Sequence, residues 1–198
     1  VPGAPPLQHN PSPRRRLLAA APAAALAAAA LICAPARAQL PAAPLAHPSR
    51  DVDVTYRMER GDRVLTERMR WQAATLRQRV DPPTEGLFIV IDYKAGRMRT
   101  VRLSDRLVLE MAAPPSGGGA YVRQGADQVA GLPCTDWQAT ATDGRSTVAC
   151  ITDDGVMLRA SAGGRTLVSA ASVDYAPQDP ALFAVPDGFI VRRVEDAP

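Results

Sequence analysis

Histidine is almost missing from this chain. Its 198 residues hold two, His9 and His47, and both lie before the first segment with strand periodicity. A Ser-His-Asp or Cys-His nucleophile needs an imidazole to take the proton. The usual catalytic zinc sites need at least one as a ligand. Phosphate-cradling loops are absent too: there is neither G-x-x-x-x-G-K-[ST] nor G-x-G-x-x-G. Asp51-x-Asp53 and Asp153-Asp154-Gly155 offer too few acceptors for a calcium loop and read as a strand edge and a hairpin turn. The expectation is therefore a protein with no catalytic residue, no metal and no cofactor, and so no enzyme. Glu67 and Glu110 are the carboxylates left to weigh. Each sits in a strand among arginines, where an ion pair is the plainer role.

Basic blocks are also scarce. The formal charge of +3 comes from the first 38 residues, which carry Arg14, Arg15, Arg16 and Arg37 and no acid. Of 23 Lys/Arg and 20 Asp/Glu, the remainder keeps 19 and 20, a net charge of −1. Nucleic acid has no electrostatic footprint there and is not an expected partner. The leader itself is informative. Arg14–Arg16 precede LLAAAPAAALAAAALIC and the small-residue site Ala36-Arg37-Ala38, the pattern of a secretory signal peptide behind a disordered extension. Cleavage is expected between Ala38 and Gln39. A retained anchor is disfavoured because the apolar run is mostly Ala and contains Pro22. Lipidation at Cys33 is disfavoured by the bulky Ile32 before it. The domain plan is leader 1–38, linker 39–50 and one domain over 51–194, with a periplasmic or secreted location.

Cysteine is sparse: outside the leader there are Cys134 and Cys150. In an oxidising compartment such a pair is normally a disulfide. No C-x-x-C, neighbouring His or adjacent Lys marks them as reactive. Their equal parity puts both side chains on one face of a hairpin turned at Thr142-Asp143-Gly144. A three-residue loop would set Cys150 against Asp136 and leave the cysteines diagonal. The expectation is thus a bond together with a shifted loop or a bulge.

Helical periodicity of useful length is missing after the leader. Short strands take its place. Val52, Val54, Tyr56 and Met58 alternate with Asp53, Thr55, Arg57 and Glu59, and Gly61-Asp62 turns the chain. Leu65, Met69 and Trp71 share a face on the next strand. LFIVIDYK is apolar on both faces and reads as a central strand. PPSGGG reads as a flexible loop and YVRQGADQVAGLP as an irregular approach to Cys134. The segment from Ala176 reads as one helical turn, a Pro-Asp-Gly corner and a last extended piece. Turns rich in Gly, Asp and Pro between short strands predict an all-β antiparallel meander, with a two-sheet sandwich as the alternative.

Three segments resemble a known family. GADQVAGLPCTDWQ (125–138), DYKAGRMRTV (92–101) and DPALFAVPDGF (179–189) are similar, in the same order, to segments of small exported proteins of unknown function related to the LolA/LolB lipoprotein carriers. The resemblance implies a strongly curved antiparallel sheet, a half-barrel with a few short helices over its hollow side. In the carriers that hollow receives lipid acyl chains. It also implies lipid or a lipoprotein as partner, with peripheral membrane contact; among the large apolar side chains, whose other reading is core, Trp71, Phe88, Met111 and Trp137 are the expected lining. No amphipathic helix precedes the first strand here, and no single Arg stands out as the carriers' lid residue. The main expectation is a non-enzymatic binder of an apolar ligand. The alternative is a filled interior serving protein interaction or stress sensing in the envelope. Oligomeric state is not legible.

Overall fold

The computed structural model of the chain describes residues 43–115, 120–141 and 144–194. The expected leader, the Gly117–Gly119 loop and the turn residues Thr142 and Asp143 lie outside the described residues. Twelve strands follow in chain order: β1 Val52–Arg60, β2 Arg63–Gln72, β3 Arg77–Asp81, β4 Leu87–Asp92, β5 Arg97–Arg102, β6 Leu107–Ala112, β7 Ala120–Val129, β8 Leu132–Thr140, β9 Ser146–Ile151, β10 Met157–Ala162, β11 Arg165–Asp174 and β12 Ile190–Arg193. They form one sheet in the order β12-β6-β5-β4-β3-β2-β1-β11-β10-β9-β8-β7. The expected half-barrel is the fold, and the two-sheet sandwich is not formed. Helix among the described residues is limited to two 3-10 turns, Ala73–Thr75 and Pro180–Phe183.

The curvature follows from chain length. In the sheet order β6 and β7 stand ten strand spacings apart, about 48 Å if the sheet were flat. The chain from Ala112 to Ala120 spans eight residue steps, at most about 28 Å. The sheet must therefore curl to bring these strands together. Bulges help on one side. The ladder register shifts in β1–β11, β10–β11, β9–β10 and β7–β8, whereas the ladders joining β1 through β6 run without a shift. Each extra residue bends its strand and raises the local twist.

Two expectations need correction. The sheet is not purely antiparallel: β12 pairs with β6 in parallel, Ile190 opposite Leu107. The physical reason is the long segment from Tyr175 to Phe189, which carries the chain from mid-sheet to the far edge and leaves it free to arrive in either direction. The second correction concerns 120–133, which is a hairpin and not an irregular approach. Val129 faces Leu132 across a two-residue turn in which Ala130 takes φ 50° and Gly131 φ 77°. Such turns need left-handed backbone at both positions, and an Ala in the first hides the usual Asn-Gly or Asp-Gly signal.

Two buried clusters lie on opposite faces of the β1–β6 ladder. Val54, Met69, Val80 and Ile89 form one cross-strand row, and Phe88, Val101 and Val108 form another on the reverse face. The first cluster gathers Val52, Val54, Tyr56, Met69 and Trp71 with Cys134, Cys150, Val156 and Leu158 from the bulged half. The second gathers Phe88, Val90, Val101 and Val108 under Phe183, with Leu182, Val185 and Phe189 packed against it. Each fully buried Val or Leu stabilises by roughly 1.5–3 kcal/mol relative to an exposed one. Both faces of β4 are thus apolar, as its sequence implies; the Phe88 side is sealed, and on the other side Ile91 alone is buried. Leu87 and Ile89 on the other side are half-buried.

Candidate functional site

Cys134 and Cys150 are joined, with a Cα–Cα distance of 5.4 Å. The register sets Cys150 opposite Asp136 without a shift in the β8–β9 ladder, so the bond spans the diagonal after all. The expected bulge is not in this hairpin. Pairing ends at Ile151 opposite Thr135, and Thr152 turns away to bond the Val156 N–H through its hydroxyl at 2.9 Å. The Cys134 end of β8 is thus free of its β9 neighbour, and a close diagonal approach becomes possible there. Among the described residues Asp127, Asp136 and Cys150 form one cluster of metal-ligand atom types. The sulfur is committed to the disulfide. Both carboxylates bind Arg159, at 2.6 and 3.2 Å.

The described part of the expected linker, residues 43–50, packs on the domain. It is a strap across the Trp71 face, and it brings His47 into the domain, correcting its placement outside. The Trp71 indole N–H donates to the Pro48 carbonyl at 2.8 Å. The His47 ring stacks on Trp71 with centroids 4.9 Å apart and tilts against Tyr93 at 4.3 Å. The Ser49 N–H donates to the Asp154 carbonyl at 2.8 Å, and Arg50 Nε meets the Asp154 carboxylate at 2.7 Å. The Arg50 guanidinium also lies 3.5 Å above the Tyr175 ring. Burial pushes the Asp154 carboxyl up, but hydrogen bonds from Thr152, Arg50 and Tyr175 win and hold it below the ordinary range. At Gly155, φ is +90° and a Cβ would lie 2.5 Å from the His47 carbonyl oxygen, so the strap fits only over a glycine.

Beneath the strap is a cavity of about 300 Å³. Its walls are Tyr56, Met58, Met69, Trp71, Met157 and Val168, with His47, Tyr93, Gln78 and Glu67 as the polar members. Glu67 stands opposite Tyr56 in the β1–β2 ladder. Burial alone pushes its carboxyl above the ordinary value. Burial likewise pushes the imidazole of His47 down, favouring the neutral ring. The Tyr56 hydroxyl is pushed up, first by burial and then by the charge of Glu67, and donates to the Met157 carbonyl at 2.6 Å. Tyr93, pushed up by burial, donates to Gln78 Oε1 at 3.0 Å.

The two weighed carboxylates part ways. Glu110 is the expected ion-pair residue: it meets Arg99 at 2.8 Å and Arg193 at 3.3 Å on the Phe88 face. The Arg99 hydrogen bond holds it below the ordinary carboxylate range. Glu67 has no ion pair or side-chain hydrogen bond among the described residues. It lies on the opposite face, so the two do not flank one cleft.

Of the four residues expected to line one hollow, Trp71 alone borders the cavity. Met111 shares its cross-strand row, Trp71–Gln78–Ile91–Met98–Met111, but lies four strands away beside Arg97 and Glu110. Phe88 is on the reverse face, under Phe183. Trp137 is buried on β8 in neither cluster. The structure does not bring the four together. His47, Tyr56 and Met58 were missed as wall residues. A signal for two of them was present: the Gly61-Asp62 turn places Tyr56 and Met58 opposite Glu67 and Leu65.

A scan against family models and a search of curated proteins found no match. Solved structures do match. An uncharacterized conserved protein from Thermus thermophilus superposes with a TM-score of 0.56 and 15% identity, covering 74% of this chain and 91% of that one. PNGF-II gives 0.54 and 12% over 74% of this chain and 31% of that one. The MucA/MucB complex of Pseudomonas aeruginosa gives 0.53 and 16% over 75% of this chain and 60% of the matched chain. This chain therefore spans about three fifths of that partner of the MucA/MucB pair and under a third of PNGF-II. At these identities the likeness is one of fold, and the fold it supports is the curved, unclosed half-barrel.

Proposed function

We propose that this is a non-enzymatic extracytoplasmic binding protein of the LolA/LolB-like superfamily, which shelters the apolar part of a small ligand, a lipid or a lipidated partner. The observation that carries this is the cavity of about 300 Å³ walled by Met58, Met69, Trp71, Met157 and Val168 under a strap held by polar contacts. That size is at the lower end for small-molecule sites, and Met and Trp are adaptable linings. The disulfide supports an oxidising compartment.

The test is a titration of the exported chain, purified without detergent, with the neutral fluorescent probe N-phenylnaphthylamine, alongside native mass spectrometry. A saturable rise in emission is expected, lost in Val168→Phe, which fills the cavity, while far-UV circular dichroism is unchanged. An absent signal, or one equal in Val168→Phe, overturns the reading. A protein partner is the second reading. It is favoured by the fold likeness to a chain solved as a MucA/MucB complex and by the half-buried apolar patch of Ile89, Met98, Leu109 and Met111 beside the exposed Ile190. A photo-reactive side chain at Leu109 tests it: a discrete cross-linked protein supports it, and lipid adducts alone oppose it.

A further inference from the structure

The polar groups around the cavity are unevenly divided. On the reverse face of β1–β6 each of four acids has a basic partner: Asp53 with Arg68 and Arg70, Asp81 with Arg70 and Arg79, Asp92 with Arg77, Glu110 with Arg99. The cavity side holds Glu67 and no Lys or Arg in its walls. Three of its donors are already committed. The Tyr56 hydroxyl bonds the Met157 carbonyl, the Tyr93 hydroxyl bonds Gln78 Oε1, and the Trp71 indole N–H bonds the Pro48 carbonyl. What remains toward a ligand is the Glu67 carboxylate, aromatic faces, thioethers, the Gln78 amide N–H groups and one imidazole N–H.

We infer that the cavity selects ligands whose apolar body ends in a positively charged or hydrogen-bond-donating head, an aliphatic amine above all, with Glu67 receiving that head. This rests on the preceding reading of the cavity as a ligand site and adds the class of ligand. An ammonium group satisfies a half-buried carboxylate that has no partner among the described residues. Aromatic faces at Trp71, Tyr93 and His47 add attraction for a cation held near them. A fatty-acid head does the opposite. It sets one carboxylate beside another in a partly dry site, where like charges repel and neither can donate. A hydroxyl head is intermediate, since it can donate to Glu67 without charge. A charge-assisted hydrogen bond of this kind corresponds to about ten- to a hundredfold in affinity.

The experiment is displacement of N-phenylnaphthylamine from the purified exported chain by n-octylamine, n-octanol and n-octanoate at about pH 8, where amine and carboxylates are charged. The order of potency expected is amine, alcohol, acid, with at least about tenfold between the first and last. In Glu67→Gln the amine-to-acid ratio should fall to about threefold or less, while octanol stays within about twofold of its wild-type value. The unchanged octanol shows that the variant still folds around the cavity. Melting curves with each ligand give the same order without the probe. Octanoate matching or beating octylamine overturns the inference and leaves the cavity reading standing. So does an amine preference that persists in Glu67→Gln. Displacement by none of the three overturns both.

Discussion

The two ends of the described chain each fold back over the sheet, on opposite faces and by different physics. The N-terminal strap is held by polar contacts: Trp71 to the Pro48 carbonyl, Ser49 and Arg50 to Asp154, and a ring stack at His47. The C-terminal cap is held by apolar burial. Leu182, Phe183, Val185 and Phe189 pack on Phe88, Val90, Val101 and Val108. Arg79 pins the cap by donating to the Leu182 carbonyl at 2.7 Å while lying 4.0 Å over the Phe88 ring. Asp179 starts its 3-10 turn by accepting from the Ala181 N–H at 2.9 Å. The cap side is the regular half of the sheet, and the strap side borders the bulged half. Apolar burial gives a lasting seal, because leaving it exposes every side chain to water at once. Exposed hydrogen bonds and ion pairs exchange with water at little net cost, and Arg50 is 58% exposed. One end of the chain thus seals its face with apolar side chains, and the other covers a cavity with polar contacts.

The sharpest way to break this contrast is Phe183→Ala. Removing a buried Phe costs about 3–5 kcal/mol, which lowers Tm by roughly 6–20 °C in a domain of this size. Hydrogen exchange should rise in β4–β6 while β8–β10 keep their protection, and probe binding under the strap should persist below the melting range. Loss of protection throughout would mean that the two clusters are one cooperative unit. The next effect down is on the other side. Cys134→Ser with Cys150→Ser frees a loop with a sequence separation of 16 and should cost roughly 3 kcal/mol. Thiol counting on the unfolded 39–198 chain should find none free before reduction, and finding two would refute the bond. A third change targets the strap alone. Gly155→Ala places a methyl against the His47 carbonyl at φ +90° and should cost at least about 1 kcal/mol. It should also speed probe entry, with Phe88-side exchange unaltered. Slower entry would show that the strap does not gate the cavity.

The sequence speaks unevenly for these two halves. Alternation over Val52–Met58 and the Gly61-Asp62 turn make the β1–β2 register readable, and that register places Glu67 opposite Tyr56. The cap is readable as well, because Asp179-Pro180 starts a turn and Leu182, Phe183, Val185 and Phe189 need somewhere to go. The cysteine pair follows from compartment and parity. Its diagonal closure does not, because it depends on where β9 stops pairing. The β7–β8 turn is hidden by an Ala at positive φ. The strap is the least readable part. Ala46-His47-Pro48-Ser49-Arg50 has the composition of a linker, and its partners are a turn and a ring distant in sequence, Arg50 reaching Asp154 across 104 residues. Local pattern carries no trace of such a contact, which is why the absence of histidine from the domain was a misleading sign.

The smallest effect separates the strap from the cavity it covers by the sign of a pH slope. Burial depresses the His47 imidazole below 6.5, so its contribution is present above that pH and lost as pH falls through the folded-state value. Burial raises the Glu67 carboxyl above 4.5, so its contribution is complete below 4.5 and lost as pH rises through the folded-state value. The shifted acids Asp92, Asp105, Glu110, Asp127 and Asp154 are held low and lose their contributions at pH values below this window. Within the window of about pH 4.5 to 6.5, His47 therefore sets a slope at the upper end and Glu67 one of opposite sign at the lower end. Single variants uncover each slope. Glu67→Gln leaves His47, and urea midpoints should fall on acidification across the window. His47→Gln leaves Glu67, and midpoints should rise. Both groups are partly solvated, so each slope should amount to a fraction of a kcal/mol. Slopes of the same sign in the two variants would mean that His47 is not held neutral against Trp71.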